Sequence, residues 1–572
     1  MSGTLISSLV WVPRGRAALA PKKYQLDEAE MERVGKLGGP GVLEQLKEQM
    51  EQMEMDDGGD WEDANDDDED DEDDNEDGSA SASGEDEKME DDAAAEPTKP
   101  HDPNDLSAFK MDEYDDEPST APMMGAFSNV KGLTYYRDNN DDPYITLKED
   151  DEDIEREELA LLETDSMVVT ARTNSDLSTL DFHVYDDSNE SLYTHHDLML
   201  PTFPLCVEWL DFASGSGSSD DARTGNFVAV GSFDPSIEIW DADVVDGLYP
   251  QAILGPASSL EKPEAKPAGT GKKKRRQLVQ PTANADYHVQ PVLGLSWTNK
   301  FRNLLLSGSA DGTIKLWDLT RESPMGARSS WDKIHGGDKV QGLEWNRAAA
   351  GSGADTAVLS GGYDRTVRVW DPMTKDGEGF GVAMGADIEC VRWDPWSATN
   401  FFVSLENGLI LNYDARTLSS SKGANNISTA RPLYTLSAHD GAATALDINP
   451  HIRGCIVTGG MDKTVKIWNV ADEETEGIAG RKREISLATS RDLGLGKVFC
   501  ARWSPDSETP LALAAAGSKA TVQVWDAASN PGARNAFAER LKRHGRELGA
   551  IKAGGGLISN NAGEDEGDSD DE

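Results

Sequence analysis

Val465-Lys466-Ile467-Trp468-Asn469 is a short β-branched run closed by tryptophan and a small polar residue, and the chain repeats it. Ile237-Glu238-Ile239-Trp240-Asp241, Ile314-Lys315-Leu316-Trp317-Asp318, Val367-Arg368-Val369-Trp370-Asp371 and Val522-Gln523-Val524-Trp525-Asp526 end the same way. Tyr185-Asp186 and Tyr413-Asp414 fill the slot in two further copies, giving seven. A second tryptophan register lies about thirty residues or fewer upstream, in Leu205 to Trp209, Leu293 to Trp297, Val340 to Trp345, Cys390 to Trp393 and Cys500 to Trp503, with Ala445 to Pro450 as a degenerate member. Repeats of this length, made of short strands with a Trp-Asp ending, are blades of a β-propeller: no blade can bury both faces alone, so each stacks on its neighbours. The predicted fold is all-β and seven-bladed, with blades ending near 185, 240, 317, 370, 413, 468 and 525.

These registers resemble the WD-repeat family over roughly two-thirds of the chain. Val10-Trp11-Val12-Pro13-Arg14-Gly15, the stretch Phe127 to Tyr136 and the long acidic insertion between them are similar, within it, to the periodic tryptophan family. That resemblance implies a non-catalytic nuclear and nucleolar scaffold that assists assembly of the large ribosomal subunit precursor and processing of its RNA. The implied partners are assembly factors, ribosomal proteins and precursor ribosomal RNA, with the chain monomeric inside a larger complex. The alternative is a chromatin-associated propeller that binds histones.

The ends of the chain fit one ring. Leu5 to Val12 closes on Trp-Val-Pro much as Trp503-Ser504-Pro505 and Trp393-Asp394-Pro395 close their strands, yet the strands that should follow it begin only at Met167 to Ala171 and Leu180 to Tyr185. Blade one is therefore expected to be split. Residues 1–13 supply its inner strand, 14–164 form an acidic and mostly disordered insertion, and 165–530 complete the propeller. Tying the N-terminus into the ring removes an open sheet edge. Within the insertion, Asp27 to Met55 and Ile154 to Glu163 have helical character, and Phe127, Tyr135, Tyr136 and Tyr144 form an aromatic island expected to dock on the propeller or on a partner. A basic loop spans 255–280, a basic helix 531–550 and a disordered acidic tail 551–572.

The formal charge of −52 lies mainly outside the repeats: from Asp165 to Gly545 there are 48 acidic and 38 basic residues, a balance of −10, which leaves −42 for the rest. Asp56 to Asp92, with Lys88 its only base, cannot bury enough apolar surface to offset chain entropy. It serves either as a solvating spacer or as a binder of basic proteins. Nothing longer than a strand is continuously apolar, so no membrane span is expected, and Leu5 to Val12 lacks the flanks of a signal peptide. The composition is that of a soluble intracellular protein. Cys206, Cys390 and Cys500 occupy one repeated slot and Cys455 begins another strand, a pattern that suits buried free thiols and neither a disulfide framework nor a metal site.

Three sets look catalytic in isolation: His288, Ser307, Asp311 and Trp317; His335, Ser360, Asp364 and Trp370; His439, Thr458, Asp462 and Trp468. A hydrolase needs one such group opening into one pocket with an oxyanion site. Copies at repeat spacing point instead to buried polar tetrads that tie strands together, so no catalytic, metal or cofactor-binding residue is expected. In blades two and seven Val230 and Ala515 replace the hydroxyl, and in blade seven Lys519 replaces the Asp. Lys272, Lys273, Lys274, Arg275 and Arg276 form a compact basic run, read as a nuclear import signal with RNA contact as the competing reading. The helical stretch after Trp525 either neutralises phosphates or covers the propeller edge through Phe537 and Leu541. Ser83 and Ser569 sit among carboxylates, as acidophilic kinases prefer.

Overall fold

The computed structural model describes residues 4–25, 28–38 and 159–560, the last range without 176, 216–223, 257–282, 323–324, 348–354, 375–378, 421–426, 474–481, 544, 547, 549–550 and 552–554. Seven sheets stand around a ring. Their innermost strands are Leu5–Val12, Pro204–Phe212, Val292–Trp297, Val340–Trp345, Ile388–Trp393, Ala445–Ile448 and Val498–Trp503, each packed against the next, with the last meeting the first.

The split first blade is present. Leu5–Val12 pairs antiparallel with Ser166–Asn174, setting Trp11 opposite Val168, and two further strands, Leu177–Asp186 and Ser191–Leu200, complete the sheet. Ile6, Leu9, Trp11 and Val12 are buried. Trp11 donates its indole N–H to the Arg502 carbonyl of blade seven at 3.0 Å. Both ends of the insertion are stapled to that same blade. The Arg14 backbone N–H donates to Asp506 at 3.0 Å, the Arg14 guanidinium to Ser166 at 3.1 Å, and the Ser166 hydroxyl to Asp506 at 2.9 Å.

Apolar residues collect in the seams between blades. One cluster joins Val12, Phe182 and Leu198 of blade one to Val207, Val228 and Trp240 of blade two, and another joins Ile6, Leu9 and Trp11 to Cys500, Ala514 and Val524 of blade seven. Alternation along each strand sends successive side chains into opposite seams. In six of the seven inner strands the register slips near the start, as between Val292 and Gly294. Such bulges bend a strand and increase its twist. The cysteines are free, with Cys390 half-buried and Cys206, Cys455 and Cys500 buried.

Inner strands run side by side in one direction, so the connections sort to two ends of the ring. One end carries the second-to-third strand turns, such as Ala310 to Thr313 and Gly460 to Lys463, together with the links between blades. It is called the histidine end below. The opposite, tryptophan end carries the first-to-second and third-to-fourth connections, among them both flanks of the insertion and the C-terminal helix Pro531–Arg543.

Several segments depart from expectation. Residues 551–572 are not all an irregular tail: Leu557–Ser559 pairs with Gln523 to Trp525 as the outer strand of blade seven. Half-burial of Leu557 and Ile558 and the free edge of that sheet favour the pairing. The helix Pro531–Arg543 is thus an insert in the last connection of that blade. Of the helix expected over Ile154 to Glu163, residues 159–163 are described and are not helical, the Leu161 backbone N–H being taken by the Leu19 carbonyl at 2.9 Å. Near the N-terminus Lys22–Lys23 pairs parallel with Val244–Val245, and helix Glu28–Gly38 buries Val34 and Leu37. Ile427–Ser428 adds a fifth strand to blade four.

Candidate functional site

At the histidine end, three tetrads are assembled. Trp317 donates its indole N–H to the Ser307 hydroxyl oxygen at 2.8 Å, Ser307 lies 2.7 Å from His288 Nε2, and His288 Nδ1 lies 3.2 Å from Asp311. The chain Trp370, Ser360, His335, Asp364 runs over 3.1, 2.8 and 3.0 Å, and Trp468, Thr458, His439, Asp462 over 3.0, 2.9 and 2.9 Å. Each Asp also accepts from the backbone N–H two residues on, at Thr313, Thr366 and Thr464, and so closes the turn.

A carboxylate, an imidazole and a hydroxyl in line is the geometry of a nucleophilic triad, but accessibility decides against that chemistry. Ser307, Ser360 and Thr458 are each 0% exposed, and each hydroxyl oxygen already accepts an indole N–H. Burial lowers the pKa of His288 and His439 and keeps the rings neutral. Burial alone would raise the Asp462 carboxyl, but hydrogen bonds from Thr464 and His439 outweigh it and hold the group at about 2. A neutral ring between an ionised carboxylate and a hydroxyl is a fully satisfied network, which ties the blade link to two strands.

The tryptophan end carries a second arrangement that sequence reasoning missed. Where the inner strands finish, the residue before each tryptophan position reaches toward the next blade. Glu208 accepts the Trp297 backbone N–H at 3.2 Å, Ser296 that of Trp345 at 3.0 Å, Glu344 that of Trp393, and Asp447 that of Trp503 at 2.8 Å. Guanidinium groups sit among these carboxylates: Arg347 pairs with Glu208, Arg392 lies 3.7 Å from Glu344 and 3.8 Å from Asp447, and Arg502 lies 3.8 Å from Asp447. Together they rim a cavity of about 480 Å³ at the mouth of the central channel, between Trp11, Trp209, Trp297, Trp393 and Trp503. Exposure is uneven along the rim: the Glu208, Glu344 and Arg392 side chains are 10%, 12% and 13% exposed, against 50% for Arg347 and 44% for Arg16. A signal existed in the sequence, since Glu208, Ser296, Glu344, Arg392, Asp447 and Arg502 repeat a polar residue at one slot of an otherwise apolar strand.

Family comparison agrees with this architecture. The model of the WD domain, G-beta repeat, matches residues 281–318, 335–371, 430–469 and 494–526. The chain is 37% identical to an uncharacterized WD repeat-containing protein of Schizosaccharomyces pombe over 99% of its own length and 97% of the relative's. It is 31% identical to Periodic tryptophan protein 1 of Saccharomyces cerevisiae over 94% of its length and 90% of the relative's. The chain belongs to the periodic tryptophan protein 1 family of WD-repeat proteins. A more distant relative, the Ribosome biogenesis protein WDR12 homolog of Ixodes scapularis, is 26% identical over 44% of this chain and 52% of its own length.

For a periodic tryptophan protein 1 family member the two tryptophan registers do separate work: one donates to the tetrads and the other rims the channel mouth. Lys272 to Arg276, Phe127, Tyr135, Tyr136, Tyr144, Ser83, Ser569 and the tract Asp56 to Asp92 lie outside the described residues. The C-terminal helix covers the outer edge of blades six and seven with Ala533, Phe537 and Leu541, and it turns Lys542 and Arg543 outward. Among the described residues no helix is long and apolar enough to cross a membrane.

Proposed function

We propose that this chain is a non-catalytic scaffold of ribosome biogenesis that works in the nucleus and nucleolus on the precursor of the large subunit and the processing of its RNA. The observation that carries the reading is similarity to Periodic tryptophan protein 1 along nearly the whole chain, acidic insertion included. Similarity of the repeats to a protein named for ribosome biogenesis supports it. The sealed hydroxyls of the tetrads support a binding role over a chemical one, because a propeller hosts many functions and the site must decide. In this role the acidic tract would attract basic ribosomal proteins, and the two ends of the ring would hold different partners.

The test is sedimentation of nuclear extracts. Association with precursor particles that ribonuclease abolishes is the expected result. Co-purification with core histones irrespective of ribonuclease would replace the reading with the chromatin one. Replacing Lys272 to Arg276 by Ala is expected to shift the protein toward the cytoplasm without unfolding the propeller, and unchanged nuclear accumulation would assign the run to another task.

A further inference from the structure

The C-terminal helix divides its side chains by face. Ala533, Phe537 and Leu541 enter the seam of blades six and seven, and Arg540 pins the helix down by donating to the Arg453 carbonyl at 2.7 Å and to the Asn469 side chain at 2.6 Å. Covering a propeller edge needs only that apolar face. The remaining positions nonetheless carry concentrated positive charge: from Pro531 to Arg546 there are five basic residues, Arg534, Arg540, Lys542, Arg543 and Arg546, against the single acid Glu539. Lys542 and the Arg453 beside the helix are exposed, and the Arg543 side chain is 77% exposed. The Arg543–Glu539 pair, 3.7 Å apart with Glu539 86% exposed, is held in water and neutralises little.

This corner adjoins the channel mouth. His451, two residues before Arg453, lies 3.0 Å from the Pro505 carbonyl, and Pro450, Pro505 and Arg502 line the cavity. Exposed cations at Arg453, Lys542 and Arg543 therefore stand beside the mouth in a chain whose net charge is −52. A molecule so acidic repels polyanions at long range, so a basic corner on it suits a ligand with a dense, regular line of charge. The phosphodiester backbone is such a line, and guanidinium groups match phosphate in a two-point fashion.

We propose that Arg453, Lys542 and Arg543 bind the phosphate backbone of RNA at the tryptophan end, an inference that rests on the ribosome-assembly reading for its choice of nucleic acid. The contacts are to phosphate, so they position an RNA and do not read its sequence.

The test uses the full chain and a labelled RNA stem-loop, with binding followed by fluorescence anisotropy between 50 and 200 mM salt. Two triple variants remove equal charge from opposite ends: Arg453→Gln with Lys542→Gln and Arg543→Gln, and Lys333→Gln with Lys339→Gln and Arg365→Gln. All six side chains are exposed, and unchanged melting curves verify folding. The first triple is expected to weaken binding at least tenfold at low salt and to flatten the dependence of log affinity on log salt by about 2 to 3, near 0.9 per lost phosphate contact. The second is expected to change affinity less than twofold. Equal losses in both triples, no loss in the first, or no RNA binding by the parent chain would each overturn the proposal, as would a Glu-rich peptide that binds this corner where RNA does not. Sedimentation separates the two readings: a first triple that keeps full RNA affinity in a protein that still joins precursor particles sinks only the corner. Weakened RNA binding in a protein that never joins particles supports the corner and sinks the assembly role.

Discussion

The two ends of the propeller are built from the same repeats and differ in what their loops must do. At the histidine end the second-to-third strand turns are tight, and three are closed by a carboxylate that also holds a buried imidazole. At the tryptophan end the connections expand into a 150-residue-scale insertion, a helix in blade seven and a five-stranded blade four, and the charges there are guanidinium groups set among covered carboxylates. One end spends its polar side chains on closing turns, and the other commits its carboxylates to backbone N–H groups of the next blade and leaves Arg347 half-exposed beside them. The contrast teaches that in such a ring the conspicuous His-Ser-Asp sets report structure.

The contrast breaks most decisively if the ring does not depend on its first strand. Removing residues 1–12 takes Ile6, Leu9, Trp11 and Val12 out of two seams, at roughly 1.5–3 kcal/mol for each large apolar side chain. Loss of more than about 5 kcal/mol in urea unfolding is expected, and an unchanged midpoint would make the closure ornamental.

Next in size are His439→Ala and Asp462→Ala, each expected to cost about 1–3 kcal/mol because the surviving partner is left buried and unsatisfied. Thermal melts should fall while association with precursor particles at permissive temperature persists. The opposite outcome, full stability with lost function, would move the functional site to the histidine end.

A third effect depends on pH. His183 bonds Thr170 at 3.0 Å and accepts from the Asn560 amide at 3.0 Å, and burial lowers its pKa to about 4. Since the folded value lies below the unfolded one, this stabilisation is present above about pH 6.5 and is lost as pH falls through about 4, amounting to about 3 kcal/mol over the window. His183→Gln should flatten the stability profile there, and a slope identical to the parent would assign the acid sensitivity to other groups.

The smallest expected change is a gain. Gly312 and Lys463 occupy equivalent turn positions with φ of +76° and +67°. A lysine there carries the left-handed penalty that glycine avoids, offset in part by the extra freedom glycine gives the unfolded chain. Lys463→Gly should raise stability by up to about 1 kcal/mol, and a clear loss would show that the turn is held by more than its backbone.

Much of the ring was legible because tryptophan at repeat spacing marks strand ends directly. Trp11-Val12-Pro13 even exposed the distant partner of Ser166–Asn174. The outer strand Leu557–Ser559 was not legible, since three residues after a glycine run give no alternation to read, and its pairing depends on an edge some thirty residues earlier. The parallel pairs at Lys22–Lys23 and Ile427–Ser428 have the same brevity. The tetrads were readable through fixed offsets within one repeat. The carboxylate and arginine rim was harder, because Glu208 finds Arg347 two blades away and no local spacing encodes that meeting.

Asn560 donates to His183 and, at 2.8 Å, to Thr194, so the last described residue of blade seven is fastened to blade one. In the order of synthesis this clasp arrives last. With elongation at about 5–20 residues per second, the opening strand leaves the ribosome roughly half a minute to two minutes before its clasp is made. Ile6, Leu9 and Trp11 lack the blade seven surface that buries them until residues 498–526 have been made, and the clasp follows some thirty residues later. A nascent chain halted before Val498 should therefore remain protease-sensitive at its N-terminus, however well its middle blades have folded.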